Sequence, residues 1–166
     1  MPCLKHVISP LNSATSSCLG IYCEPNSYSN TLQLPYSSLS QWQQRLTNRT
    51  NFYSLVAVDV SGTLLGQLGF ERFESPRRQH VINFGMAVTA AAQGQGIGSA
   101  LIEAMFDLAF NWLAIARIEL EVYTDNKAAI HLYQKHGFVI EGTAQNYAFK
   151  NGRFADVYLM AVCRSA

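Results

Sequence analysis

Charge is scarce in this chain. Only 14% of its 166 residues are Asp, Glu, Lys or Arg, and they nearly cancel to a formal net charge of +1. A nucleic-acid partner would leave a strong basic bias, which is missing, so none is expected. Cys3, Cys18, Cys23 and Cys163 show no Cys-x-x-Cys spacing, and His6, His80, His131 and His136 stand in no metal-ligand register. These absences imply reduced thiols and no metal. The first residues, MPCLKHVISP, lack an apolar signal core, and no run of about 18 apolar residues occurs anywhere. No membrane partner is expected, and a cytoplasmic protein is. Internal repeats and low-complexity tracts are also missing. Against these absences stands a 49% hydrophobic content, enough over this length for one domain, residues 1–166, with a substantial core.

Glycine, by contrast, is concentrated where it matters. An apolar run from Phe84 to Val88 reads as a buried strand. It leads through Thr89–Ala92 into Gln93-Gly94-Gln95-Gly96-Ile97-Gly98, and a helix pattern follows with Ile97, Leu101, Met105, Leu108 and Trp112 near one face. Strand, glycine turn and helix together form a cradle for an anion: glycines let backbone N–H groups approach it, and the helix start adds the positive end of its dipole. No Lys or Arg lies between Arg78 and Arg117, so the cradle relies on amides. Gly98-Ser99 lacks the lysine of a P-loop, and glycines at 94, 96 and 98 do not fit the G-x-G-x-x-G dinucleotide fingerprint.

Taken in order, residues 4–8 form a strand candidate, 12–23 a helix, 24–35 a polar loop and 38–48 a helix with Leu39, Trp42 and Leu46 inward. Strands at 52–60 and 63–73 flank a Ser61-Gly62 turn, and a third runs from 80 to 88. A helix from 96 to 113 separates that strand from one at 117–123, so the two are expected to be parallel. Asn126–His136 is a helix with Gly137 at its C′ position. A strand starts at Phe138, and Tyr147–Cys163 is a hairpin around Asn151-Gly152. The predicted order is β-α-α-β-β-β-α-β-α-β-β, an α+β fold.

Two motifs now stand in sequence. The first is Gln93-x-x-Gly96-x-Gly98. The second comprises Leu120-Glu121-Val122, Asn126, Ala128–Ile130, Leu132-Tyr133, Lys135 and Gly137-Phe138. In this order and spacing the chain resembles the GCN5-related N-acetyltransferases (GNAT). The pieces NTLQLP, QWQQRL, PRRQHV, RIELEVYTDN and YAFKNGRFADVYLMA resemble the bacterial YhhY group of amino-acid N-acetyltransferases. The resemblance implies the GNAT fold: a single mixed, mostly antiparallel sheet with a central parallel pair, flanked by helices in a three-layer α/β/α arrangement.

It also implies acetyl-CoA as co-substrate. Backbone amides of Gln93, Gly94, Gln95, Gly96, Ile97, Gly98 and Ser99 are expected to dock the diphosphate. Met86, Ala87 and Val88 correspond to the family's bulged strand, where a freed amide like that of Val88 polarises the thioester carbonyl. Asn126 is expected beside the pantetheine arm, with a helix cap as its simpler role. Tyr133 matches the general acid for the departing thiolate. Glu121 stands where relatives that acetylate ribosomal proteins carry a base; Asn83, Glu71, Asp156 or a water chain are weaker choices. Tyr28, Asn30, Gln33 and Tyr147 are candidates to bind a small-molecule amine acceptor, a free amino acid or similar. Arg72, Arg77, Arg78 and Arg153 are candidates to meet its carboxylate. A homodimer is the family-level expectation. Alternative functions are acetylation of a protein N-terminus or an amine antibiotic, and non-catalytic acyl-CoA sensing.

Overall fold

A computed structural model of the protein describes residues 20–38, 40–42, 44 and 51–164. The strand expected at 4–8 lies outside them, as do most of the helix expected at 12–23 and the positions of Leu39 and Leu46. Residues 20–23, and 40–42 with 44, are helical. The stretch read as a polar loop contains a short helix, α1 (Pro25–Ser29), with proline in its first turn, where the missing N–H costs nothing.

The strands are β1 (Phe52–Val58), β2 (Leu64–Arg72), β3 (Val81–Val88), β4 (Arg117–Tyr123), β5 (Val139–Lys150) and β6 (Arg153–Cys163). They form one sheet in the order β1-β2-β3-β4-β6-β5. The β3–β4 pair is parallel and the other neighbours are antiparallel. A parallel pair needs a crossover, supplied by helix α2 (Ile97–Phe106) and its extension. The GNAT arrangement anticipated from the sequence is present. The tight turn between β1 and β2 owes its shape to Asp59 as well as to Gly62, since Asp59 Oδ1 accepts the amides of Ser61 and Thr63. The residues from 139 to 150 make one strand. Its register shifts between Ala144 and Ala148, where Asn146 takes φ +50° and donates its amide to Asp156 Oδ1 at 2.8 Å.

Alternation along β4 sends Ile118, Leu120 and Val122 into the main core with Phe70, Ile82, Phe84 and Met160. Helix α2 and helix α3 (Lys127–Lys135) cover that face. Burial of Ile97, Leu101, Ile102 and Met105 contributes roughly 1.5–3 kcal/mol each. The continuous helix expected over 96–113 changes pitch: Asp107–Trp112 is a π-helical turn. Its wider turn advances the buried stripe by one residue, so Ala109 is buried and Trp112 points outward at 75% exposure. The opposite face carries a smaller cluster of Ile21, Tyr22, Trp42 and Ala87.

Candidate active site

The glycine turn takes the conformation its composition requires. Gly94 and Gly96 have φ of +75° and +83°, which a side chain rarely tolerates. Gly96 is the N-cap of α2, so the amides of Ile97, Gly98 and Ser99 have no carbonyl one turn back. A Cβ on Gly98 would lie 2.8 Å from Leu132 Cδ2; its glycine lets α2 approach α3. Gln93 and Gln95 turn their side-chain amides inward, to Val88 O at 3.4 Å and Ala91 O at 2.8 Å. Ser99 Oγ pairs with His136 Nε2 at 3.0 Å, and burial draws the imidazole below its ordinary pKa.

β3 and β4 part company just before this turn. Their pairing runs from Val81↔Arg117 to Asn83↔Glu119 and stops. On its other side β3 pairs β2 without interruption from Arg72↔Ile82 to Gly66↔Val88. The bulge implied by family resemblance is therefore not present in this ladder. The splay serves instead. Phe73 N–H donates to Val81 O and Thr89 N–H to Leu65 O at the two ends of the ladder. Alternation then turns the odd-numbered β3 amides to β2 and those of Met86 and Val88 into the gap towards β4. Ala87, expected with them, spends its backbone groups on β2 and its side chain in the cluster with Trp42.

Tyr133 approaches the gap from the helix side. It is buried on α3, with its ring edge-on to Phe84 at 5.7 Å and to Phe138 at 5.8 Å. Phe84 directly follows the last β3–β4 pair. Burial pushes the phenol up to about 12, so it keeps its proton at neutral pH. Asn126 caps α3, its Oδ1 accepting Ala129 N–H at 3.2 Å, so the simpler role holds.

On the opposite face, Asn83 Nδ2 donates to both carboxylate oxygens of Glu121 at 3.1 Å. Asn83 belongs to a cleft of about 180 Å³ bounded by Tyr22, Trp42, Phe52, Gln67, Glu71 and Gly85 among others. Gly69 and Gly85 are cross-strand partners and both line this cleft. A Cβ on Gly85 would meet nothing within 4 Å. Of the four acceptor candidates, Gln33 lines the cleft. Tyr147 lies near Glu121: burial raises its phenol, and the Glu121 charge raises it further. Tyr28 lies in α1, Asn30 caps it, and neither lines the cleft.

The arginines proposed for a carboxylate are also elsewhere. Arg72 Nε donates to Gln79 O. Arg78 pairs with Glu119 at 2.7 Å, and Arg117 joins Glu119 to Glu141. Burial pushes Glu119 up, but Arg117 and Arg78 outweigh it and hold the carboxyl below its usual range. Asp156 is occupied with Asn146. Sequence reasoning missed Tyr22, Phe52, Gln67 and the two facing glycines. The one local signal was glycine inside strands, which marks a close approach or an open space.

A loop of free amides, a splayed parallel pair and a buried phenol beside the splay define an acetyltransferase of the GNAT class. The family model described as "Acetyltransferase (GNAT) family" matches residues 19–138, and the chain belongs to that family. Among its relatives is the L-amino acid N-acetyltransferase AaaT of Escherichia coli (strain K12), 43% identical over 85% of this chain and 86% of that protein. This relative represents the bacterial group anticipated from the sequence. The spermidine N(1)-acetyltransferase of Vibrio cholerae serotype O1 is 29% identical over 79% of this chain and 76% of its own. The fold is shared with the spermidine N-acetyltransferase from Vibrio cholerae solved in complex with CoA and spermine. That structure gives a TM-score of 0.85 at 24% identity, covering 96% of this chain and 95% of that one. The protein is an acetyl-CoA-dependent acetyltransferase of amines. Among the described residues no helix is long and apolar enough to cross a membrane.

Proposed function

We propose that the protein transfers an acetyl group to the amine of a small acceptor, a free amino acid or close derivative, and that the β3–β4 gap is where the two substrates meet. The observation that carries this reading is the placement of the two candidate catalytic side chains. Tyr133 stands on the helix-covered face and Glu121 on the other, and the sheet is open between β3 and β4 beyond Asn83 and Glu119. Identity of 43% to an amino-acid acetyltransferase supports the acceptor class.

The residues present fit acetyl-CoA. Amides from Gly94 to Ser99 would hold its diphosphate at the α2 start; that of Gln93, expected with them, donates to Ala90 O at 3.4 Å. Backbone groups of Met86 and Val88, with Asn126, would take the pantetheine arm as an added strand. Bound there, the molecule supplies a thioester carbonyl for an amine to attack. The Val88 amide would donate to that carbonyl as negative charge develops. Glu121, oriented by Asn83, would take a proton from the acceptor's ammonium, directly or through water, so that the neutral amine can attack. Tyr133 would donate its proton to the leaving sulfur; the proton is there to give because burial keeps the phenol neutral. A chain with the same fold that only sensed acyl-CoA would have no use for this acid and base pair.

The test is release of free thiol from acetyl-CoA with a panel of amino acids, polyamines and peptides. Release with amino acids supports the reading. Release with peptides or polyamines alone refutes the acceptor class, and CoA binding without release from any amine refutes catalysis.

A further inference from the structure

Trp42 is 7% exposed, and among the described residues its indole N–H has no hydrogen-bond partner. A buried donor left in this state costs more than its bond is worth once made, so native structures seldom keep one without a reason. The neighbouring polar groups are already committed. The Trp42 ring stacks on Tyr22 at 4.7 Å. Tyr22 Oη donates to Gln67 Oε1 at 2.5 Å, and Gln67 Nε2 donates to Ser54 Oγ at 2.9 Å. That relay fixes the wall in which Trp42 stands.

Trp42 borders the acceptor cleft together with Glu71, Asn83 and Gly85. It also borders an outer cleft of Leu34, Pro35, Tyr36, Ser37, Gln41 and Gln44, whose described walls hold no carboxylate and no β3 residue. Only the first cleft brings Trp42 together with the Asn83–Glu121 pair and the open space over Gly85. An N–H donor repels an ammonium and attracts an oxygen. The carboxylates of Glu71 and Glu121 do the reverse. A molecule with an amine at one end and a carboxylate or carbonyl oxygen at the other satisfies both.

We propose that Trp42 Nε1–H donates to a carboxylate or carbonyl oxygen of the acceptor, making Trp42 the residue that selects α-amino acids and their carbonyl derivatives over plain amines. This rests on the reading of the cleft as the acceptor site. The cleft's described walls hold no lysine or arginine, and the carboxylate partners expected among the arginines lie outside it.

The experiment compares three acceptors: the amino acid turned over best, its amide, and its decarboxylated amine. Trp42→Phe keeps an aromatic ring against Tyr22 and removes the N–H. It should lower kcat/KM for the amino acid by about ten- to hundredfold, the range of a hydrogen bond to a charged group, and less for the amide. The plain amine should lose least. Equal losses for all three acceptors, or none, would overturn the proposal. A second measurement needs no variant activity. The indole N–H resonance of Trp42, told from that of Trp112 by its loss in Trp42→Phe, should move downfield when the amino acid is added to the CoA-bound protein. It should stay in place with the matching amine. An unmoved resonance, or equal movement with both, would also overturn it. A wild-type protein inert to every amine would refute the proposed function instead, and the resonance would still decide the role of Trp42.

Discussion

The two faces of the sheet use aromatic side chains in opposite ways. On the helix-covered face Phe84, Phe106, Tyr133 and Phe138 interlock, with ring centroids between 5.7 and 5.9 Å apart in the contacts they make. They pack against one another and make the one phenol among them a weaker acid, its pKa pushed up to about 12 by burial. On the other face Tyr22, Trp42 and Phe52 stand around a cleft, above Gly85, whose missing side chain leaves open space, and Gly69, whose missing side chain makes room for the Phe52 ring. One face thus dries a proton donor, while the other, in the proposed function, would receive the polar acceptor. The splay between β3 and β4 joins them. Chemistry that needs an acid on one side of a carbonyl and an amine on the other is served by a sheet that opens at that point.

The largest effect should come from breaking the dry face. Tyr133→Phe removes the phenol and preserves its packing; kcat should fall by about 10²–10⁴, the range for a lost general acid. CoA affinity by calorimetry should be unchanged, and an equal loss of both would mean the ring only packs. In the wild type, a phenol with a pKa of about 12 stays protonated as pH rises. The pH–rate profile should therefore show no descending limb from this group below about pH 10; a fall there that Tyr133→Phe abolishes would contradict the assignment. Next in size is the wet face. Glu121→Gln should lower kcat by roughly 10–100-fold with CoA affinity intact, and raising the pH should recover part of the loss, because more acceptor is then already neutral.

How much of this was legible beforehand differs between the same two faces. The helix-covered face was written locally: period two along residues 117–123, an asparagine cap and Gly137 at φ +85° framing α3, and glycines at the start of α2. The cleft was not. Its walls come from residues 22, 33, 42, 52, 67, 69, 71 and 83–85, of which Gln33 was expected at the acceptor site, and the rest are brought together by strand register and by helices whose packing no local pattern states. Gly69 and Gly85 become meaningful only once the register makes them neighbours. The splay was inferred from resemblance, together with a bulge that the uninterrupted β2–β3 ladder does not contain. The π-helical turn escaped for another reason: a change of pitch moves the buried stripe by one residue without altering the composition that defines it.

Smaller effects sharpen the contrast further. Gly98→Ala puts a Cβ 2.8 Å from Leu132 Cδ2. It should cost about 1–3 kcal/mol in denaturant unfolding, typical of overpacking, and weaken CoA binding by tilting the α2 start. Gly85→Ala enters open space. Stability should hold to within about 0.5 kcal/mol while KM for the acceptor rises several-fold; a matching rise for CoA would place the cleft on the wrong substrate. The smallest effect is the His136 contribution. Burial lowers its folded pKa below the unfolded value of about 6.5, so the neutral ring's stabilisation is complete above that pH. It is lost as pH falls towards the folded value. The wild-type melting temperature should drop on acidification through this window by more than that of His136→Gln, and identical slopes would remove His136 from the account.

The claim on which the rest depends is that the sheet's opening joins an acid on one face to an acceptor on the other. The most direct measurement is a crystal structure with CoA bound, read at its sulfur. The sulfur should lie in the β3–β4 gap within about 3–3.5 Å of Tyr133 Oη, with the pantetheine paired to Met86 and Val88. A sulfur outside that gap, or a diphosphate away from the amides of Gly94–Ser99, would contradict the account.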